Sequence, residues 1–68
     1  MSVVKVVELI GVSTLSWEDA AKEAIKGASK TIRNITGVQV IGATAQIEDG
    51  EIIEYRTTVN VAFRLTDR

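Results

Sequence analysis

An Asp-Gly pair at residues 49–50 lies between two apolar, β-branched stretches, and it constrains this chain more than any other feature. Both residues tolerate positive φ, as the two central positions of a type I′ turn require, so the pair predicts a two-residue β-hairpin. With Glu48 opposite Glu51, register follows: Thr44 opposes Tyr55, Val40 opposes Val59, and Val38 opposes Val61. The second strand, "IEYRTTVNVAFRL", alternates with period two. Ile53, Tyr55, Thr57, Val59, Val61, Phe63 and Leu65 share one face, while Glu54, Arg56, Thr58, Asn60, Ala62 and Arg64 share the other.

The first hairpin strand does not alternate so simply. Val38 and Val40 fall on the core face with Val59, Val61 and Phe63, which puts Ile41, Ala43, Ala45 and Ile47 on the opposite face beside Thr58, Arg56, Glu54 and Ile52. A chain of 68 residues makes one domain, read here as 1–68, and has one core in which to hide apolar surface. At this size only about 60% of the unfolded surface is buried, so some staple is needed. The sequence has no Cys and no His, which removes disulfides, thiolate sites and the commonest zinc ligand. Oligomerisation remains. Ile41, Ala43, Ala45 and Ile47 are therefore expected at a subunit interface, with Trp17 as a further anchor. The alternative is a β-bulge near Val40 and Ile41 that returns the parity to the core, and Gly42 in mid-strand is the kind of residue that marks one.

Ahead of the hairpin, "VVKVVELI" (3–10) reads as a β-branched strand ending at Gly11 rather than as a signal peptide. In "STLSWEDAAKEAI", Ser16 is a good N-cap, Asp19 stands three residues on in a capping-box-like position, and Glu18 and Asp19 complement the helix dipole. Trp17, Ala21, Ala24, Ile25, Ala28, Ile32 and Ile35 recur at helical spacing and predict the buried stripe, with Asn34 and Gly37 as stop signals. The expected class is α+β: a β-α-β-β unit with one three-stranded antiparallel sheet wrapped on one helix.

The inventory for chemistry is thin. Without His or Cys there is no ready nucleophile–base pair, and Ser13, Thr14 and Ser16 read as turn and cap residues, so no enzymatic activity is expected. Eight basic and nine acidic residues are interspersed, with no basic stripe for nucleic acid and no run approaching the roughly 20 apolar residues that span a bilayer. A cytoplasmic, soluble protein is expected. Glu48, Asp49, Glu51 and Glu54 gather around the hairpin; they read first as a solvated tip, and as a candidate Ca2+ cluster where symmetry brings copies together. Arg56 and Arg64 lie on the non-core face and are expected to pair with carboxylates or to meet an anion.

Taken together, "VVKVVELIGVSTLSWEDAAKEAI" and the closing "EYRTTVNVAFRL" make the chain resemble the dodecins almost end to end. The resemblance implies a hollow homododecamer of tetrahedral symmetry that is not an enzyme. Many dodecins bind flavins, riboflavin or FMN, stacked in pairs at subunit interfaces, and are thought to store or quench them. Some bind coenzyme A, and a divergent group, which the "SWEDAAKEAI" helix start resembles most, is described as calcium-binding. Flavin-binding members carry a Trp after the helix that stacks on the ring; the matching residue here is Gly37. Their Gln on the last strand corresponds to Arg56, a basic residue on the middle strand falls at Thr44, and one near the end is kept as Arg64. The ligand set the resemblance implies is thus Gly37, Gln39, Thr44, Arg56 and Arg64. Stacking on one ring is worth on the order of 1–3 kcal/mol, so loss of the Trp alone weakens flavin binding about tenfold or more. Arg56 donates hydrogen bonds but cannot accept one from a flavin N–H.

Overall fold

The computed structural model describes residues 3–65 and has the element order β1 (Val4–Ser13), α1 (Trp17–Ser29), β2 (Ile35–Glu48) and β3 (Glu51–Arg64). The three strands form one antiparallel sheet in the order β1-β3-β2. Asp49 and Gly50 both have positive φ, 53° and 79°, so the hairpin turn is the type I′ turn its residues call for.

Ser16 caps α1: its backbone is extended and its hydroxyl accepts from the Asp19 amide at 2.9 Å. Asp19 does not close a reciprocal capping box. Its carboxylate instead accepts from the Ser13 hydroxyl at 2.7 Å, tying the end of β1 to the first helical turn. The helix ends at Ser29, earlier than the apolar spacing suggests. Ile32 lies beyond the last turn and Ile35 opens β2, while Asn34 takes up the left-handed conformation (φ 64°) that turns the chain back.

The buried face of α1 is Ala20, Ala24 and Ala28, and these methyl groups let the helix lie close on the sheet. Contact is closest at Gly11, inside β1 rather than at its end: a Cβ there would stand 1.8 Å from the Ala20 carbonyl oxygen. Ala24 packs on Val59 and Val61, with Val7, Leu9, Ala21 and Ile35 around them. Thr57, also buried, donates to the Trp17 carbonyl at 2.8 Å. Trp17 itself is not core; it is 41% exposed.

Register departs from the simple hairpin in three steps: two that compensate, and a third at Thr36, extra on β2 between Gly37 opposite Ala62 and Ile35 opposite Phe63. Glu48 faces Glu51 and Ile47 faces Ile52, but Ile53 is then extra on β3, so Gln46 faces Glu54, Ala45 faces Tyr55 and Thr44 faces Arg56. Ile41 is extra on β2, which restores Val40 opposite Val59 and Val38 opposite Val61. The expected Thr44–Tyr55 pairing is therefore replaced by Thr44–Arg56. Directly opposed residues share a face, so Ala43 and Ala45 lie with Thr57 and Tyr55 on the helix side, not beside Thr58 and Arg56. The bulge, weighed above as the alternative, sets the parity.

Even so, the helix covers little of β2. Thirteen helical residues extend roughly 20 Å, whereas a 14-residue strand extends roughly 46 Å. The helix lies over β1 and β3, and Val38, Val40, Ile41 and Ile47 stay 44%, 58%, 45% and 58% exposed.

Candidate functional site

The register sorts the sheet into cross-strand rows. On the face turned away from α1, Val4 stands with Arg64, Val6 with Ala62 and Gly37, and Glu8 with Asn60 and Gln39. Next come Ile10 with Thr58 and Gly42, then Val12 with Arg56 and Thr44. All five candidate ligand residues, Gly37, Gln39, Thr44, Arg56 and Arg64, thus come to one face. They do not form one pocket. From Arg56 to Ala62 is six residues along β3, roughly 20 Å.

At one end of this face, Gly37 and Gln39 border a shallow depression of about 320 Å³ together with Val6, Val38, Asn60 and Ala62. A Cβ added to Gly37 would meet nothing within 4 Å, so this wall is open. Arg64 follows one row beyond, its amide bonded to the Asn34 carbonyl at 3.0 Å. At the other end, the Arg56 Nε donates to Glu54 at 2.6 Å and a terminal nitrogen donates to Gln46 Oε1 at 3.1 Å. The carboxylate partner expected for Arg56 is therefore in its own strand. Asn60 and Gln46 were not singled out from the sequence. Gln39 opposite Asn60 follows from the simple hairpin register, whereas Gln46 opposite Glu54 emerges only once the extra Ile53 is placed.

The acidic residues of the hairpin separate into two groups. Glu48 and Glu51 face each other at the turn, an opposition of like charge that costs stability. Glu54 is engaged by Arg56. Among the described residues no three acidic or other metal-binding side chains of one chain converge on a metal position.

Trp17 joins the helix start to the hairpin. Its indole N–H donates to the Thr44 carbonyl at 2.8 Å, and its ring meets Tyr55 edge-on with centroids 4.9 Å apart. A second, larger groove of about 480 Å³ runs between β1 and α1, lined by apolar and small residues including Leu9, Gly11, Ala24, Gly27 and Ile32. It holds none of the five candidates. No helix among the described residues is long and apolar enough to cross a membrane.

Comparison with known proteins places these features in a family. The dodecin family model matches residues 3–66. The calcium dodecin of Mycobacterium tuberculosis is 37% identical over 65 residues, 96% of this chain and 92% of that protein. The dodecin of Thermus thermophilus is 34% identical over 65 residues, covering 96% and 94%. Among solved structures, a Thermus thermophilus protein superposes with a TM-score of 0.93 at 32% identity over the whole of both chains. The Mycobacterium tuberculosis calcium dodecin, described as calcium-chelating with a calcium-binding site, superposes with a TM-score of 0.83 at 36% identity, covering 97% of this chain and 94% of that one.

Proposed function

The chain belongs to the dodecin family, and from that premise we propose that it works without catalysis, as a cytoplasmic homododecameric shell that binds, stores or buffers a small ligand. The observation that carries this reading is the apolar strip left bare on β2, with Val40 and Ile47 each 58% exposed although they face the helix side. Apolar surface of this kind is normally covered by a partner. Closed symmetric assembly of identical chains covers it without leaving open edges. Ile41, Ala43, Ala45, Ile47 and Trp17 are the proposed interface residues.

The ligand face supports a flavin affinity lower than that of a tryptophan-bearing site. Gly37 offers no ring to stack on, and Arg56 is tied to Glu54 and Gln46 and has no acceptor to give. Titrating ligand-free protein with riboflavin and FMN while following flavin fluorescence tests this. A shallow, incomplete titration is expected; tight stoichiometric binding with near-complete quenching contradicts it.

A second reading is a cation-binding assembly, favoured by the 37% identity to a calcium dodecin and by the opposed Glu48 and Glu51. The described residues of one chain bring too few oxygens together, so Ca2+ would have to be held between copies by Glu48, Asp49, Glu51 or Glu54. Calorimetric titration of chelator-treated protein with Ca2+ decides it: heat of binding with a raised Tm supports this reading, and neither removes it.

A further inference from the structure

The groove of about 480 Å³ between β1 and α1 lies apart from the ligand face, and Leu9, Ala24, Ala28 and Ile32 give it an apolar lining. Gly27, inside α1, also lines it. Glycine weakens a helix relative to alanine, and nothing among the described residues asks for it here: its φ is not positive and a Cβ would meet nothing within 4 Å. β1 is an edge of the sheet, so its outer backbone groups have no strand of this chain beside them. The groove therefore suits an extended segment that approaches α1 closely at Gly27.

The exposed strip on β2 matches it in length, polarity and charge. From Val40 to Ile47 the strand runs roughly 23 Å, against roughly 20 Å for α1. β2 carries no charged side chain before Glu48, its last residue. Asp49 and Glu51 extend an acidic tip, and none of these three carboxylates has an ion-pair partner among the described residues. Lys26, next to Gly27, and Lys30, one turn on, have none either. Within one chain the two groups are far apart. Trp17 bonds to Thr44, Ala20 lies at Gly11 and Ala24 packs on Val59 and Val61, so α1 runs away from the turn. Glu48 is roughly 13 Å beyond Thr44 along β2, and Lys26 is roughly 14 Å from Trp17 in the opposite sense.

We infer that the β1–α1 groove receives the apolar β2 strip of a second copy, head to tail, with Gly27 at the closest approach and the Glu48, Asp49 and Glu51 tip against Lys26 and Lys30. This rests on the shell reading above and deepens it, by naming the partner surface for Val40 and Ile47. Groove and strip are different surfaces of one chain. Each copy offers one of each, and such contacts propagate until a symmetric ring closes.

Zero-length carbodiimide cross-linking of the unaltered, assembled protein tests this. Peptide mapping of the covalent dimers is expected to find an amide between Lys26 or Lys30 and one of Glu48, Asp49 and Glu51, a link that can only join two copies. Dimers joined solely elsewhere, or no dimers, overturn the assignment. Gly27→Trp fills the groove and is expected to break the assembly into smaller species at unchanged helix content, followed by size-exclusion chromatography with scattering detection and by circular dichroism. An assembly of unaltered size in that variant overturns the assignment and leaves the shell reading intact, whereas a monomeric unaltered protein overturns both. The cross-linking needs no mutation, so it is decisive even where Gly27→Trp fails to fold.

Discussion

At the scale of single residues, two glycines have opposite meanings. Gly11 is required because the helix backbone occupies the space a side chain would need, with the Ala20 oxygen 1.8 Å from a hypothetical Cβ. Gly11→Ala is expected to destabilise the protein by about 3 kcal/mol, since backbone on both sides must move apart; chemical denaturation at matched protein concentration measures it. Gly37 has nothing within 4 Å of a Cβ and no left-handed φ, so its lack of a side chain is not a demand of the fold. Gly37→Trp is expected to leave the fold intact and to raise riboflavin affinity about tenfold or more, because it adds a wall on which a flavin can stack. A flavin titration reads the change.

At the scale of elements, helix and hairpin are governed by different signals. The Ser16 cap starts α1 and joins it to β1 through Asp19 and Ser13. Ser16→Ala is expected to cost about 1 kcal/mol, seen as a lower denaturation midpoint with an unchanged slope. The cap, the type I′ turn and the order of elements were legible because each is set by residues adjacent in sequence. The register of mid-hairpin was not. Ile41 and Ile53 are strong strand residues with nothing local to mark them as extra, and Gly42 hinted at only one of the three register shifts. Because the bulges compensate, the Val38–Val61 and Val40–Val59 pairs matched expectation while the pairs between the bulges shifted by one. Ile32 and Ile35 continued the helical spacing by coincidence, and the buried Ala20 was hidden beside Ala21, one residue round the helix. For the site, the common face of Gly37, Gln39, Arg56 and Arg64 was readable from strand parity, whereas Thr44, expected opposite Tyr55, joins them only through the bulges. The place of Thr44 beside Arg56, and the pairing of Gln46 with Glu54, depended on the bulges.

At the scale of the whole molecule, the fold is incomplete as a single chain. Its buried core is a few alanines and valines, while Val4, Val6, Ile10 and Val12 on β1 and Val38, Val40 and Ile47 on β2 remain largely exposed. The two edge strands of the sheet, β1 and β2, are long and apolar, a combination that invites pairing or coverage. Val40→Lys places a charge on a residue that is open in one chain and would be enclosed between copies. It is expected to break the assembly into smaller species, since an unpaired charge is costly to bury, and size-exclusion chromatography with scattering detection follows this. The central claim is the closed shell of twelve. Native mass spectrometry of the unaltered protein at micromolar concentration tests this: one species of about 89 kDa, twelve times the 7.4 kDa chain, is expected, and a monomer or dimer would overturn the closed shell.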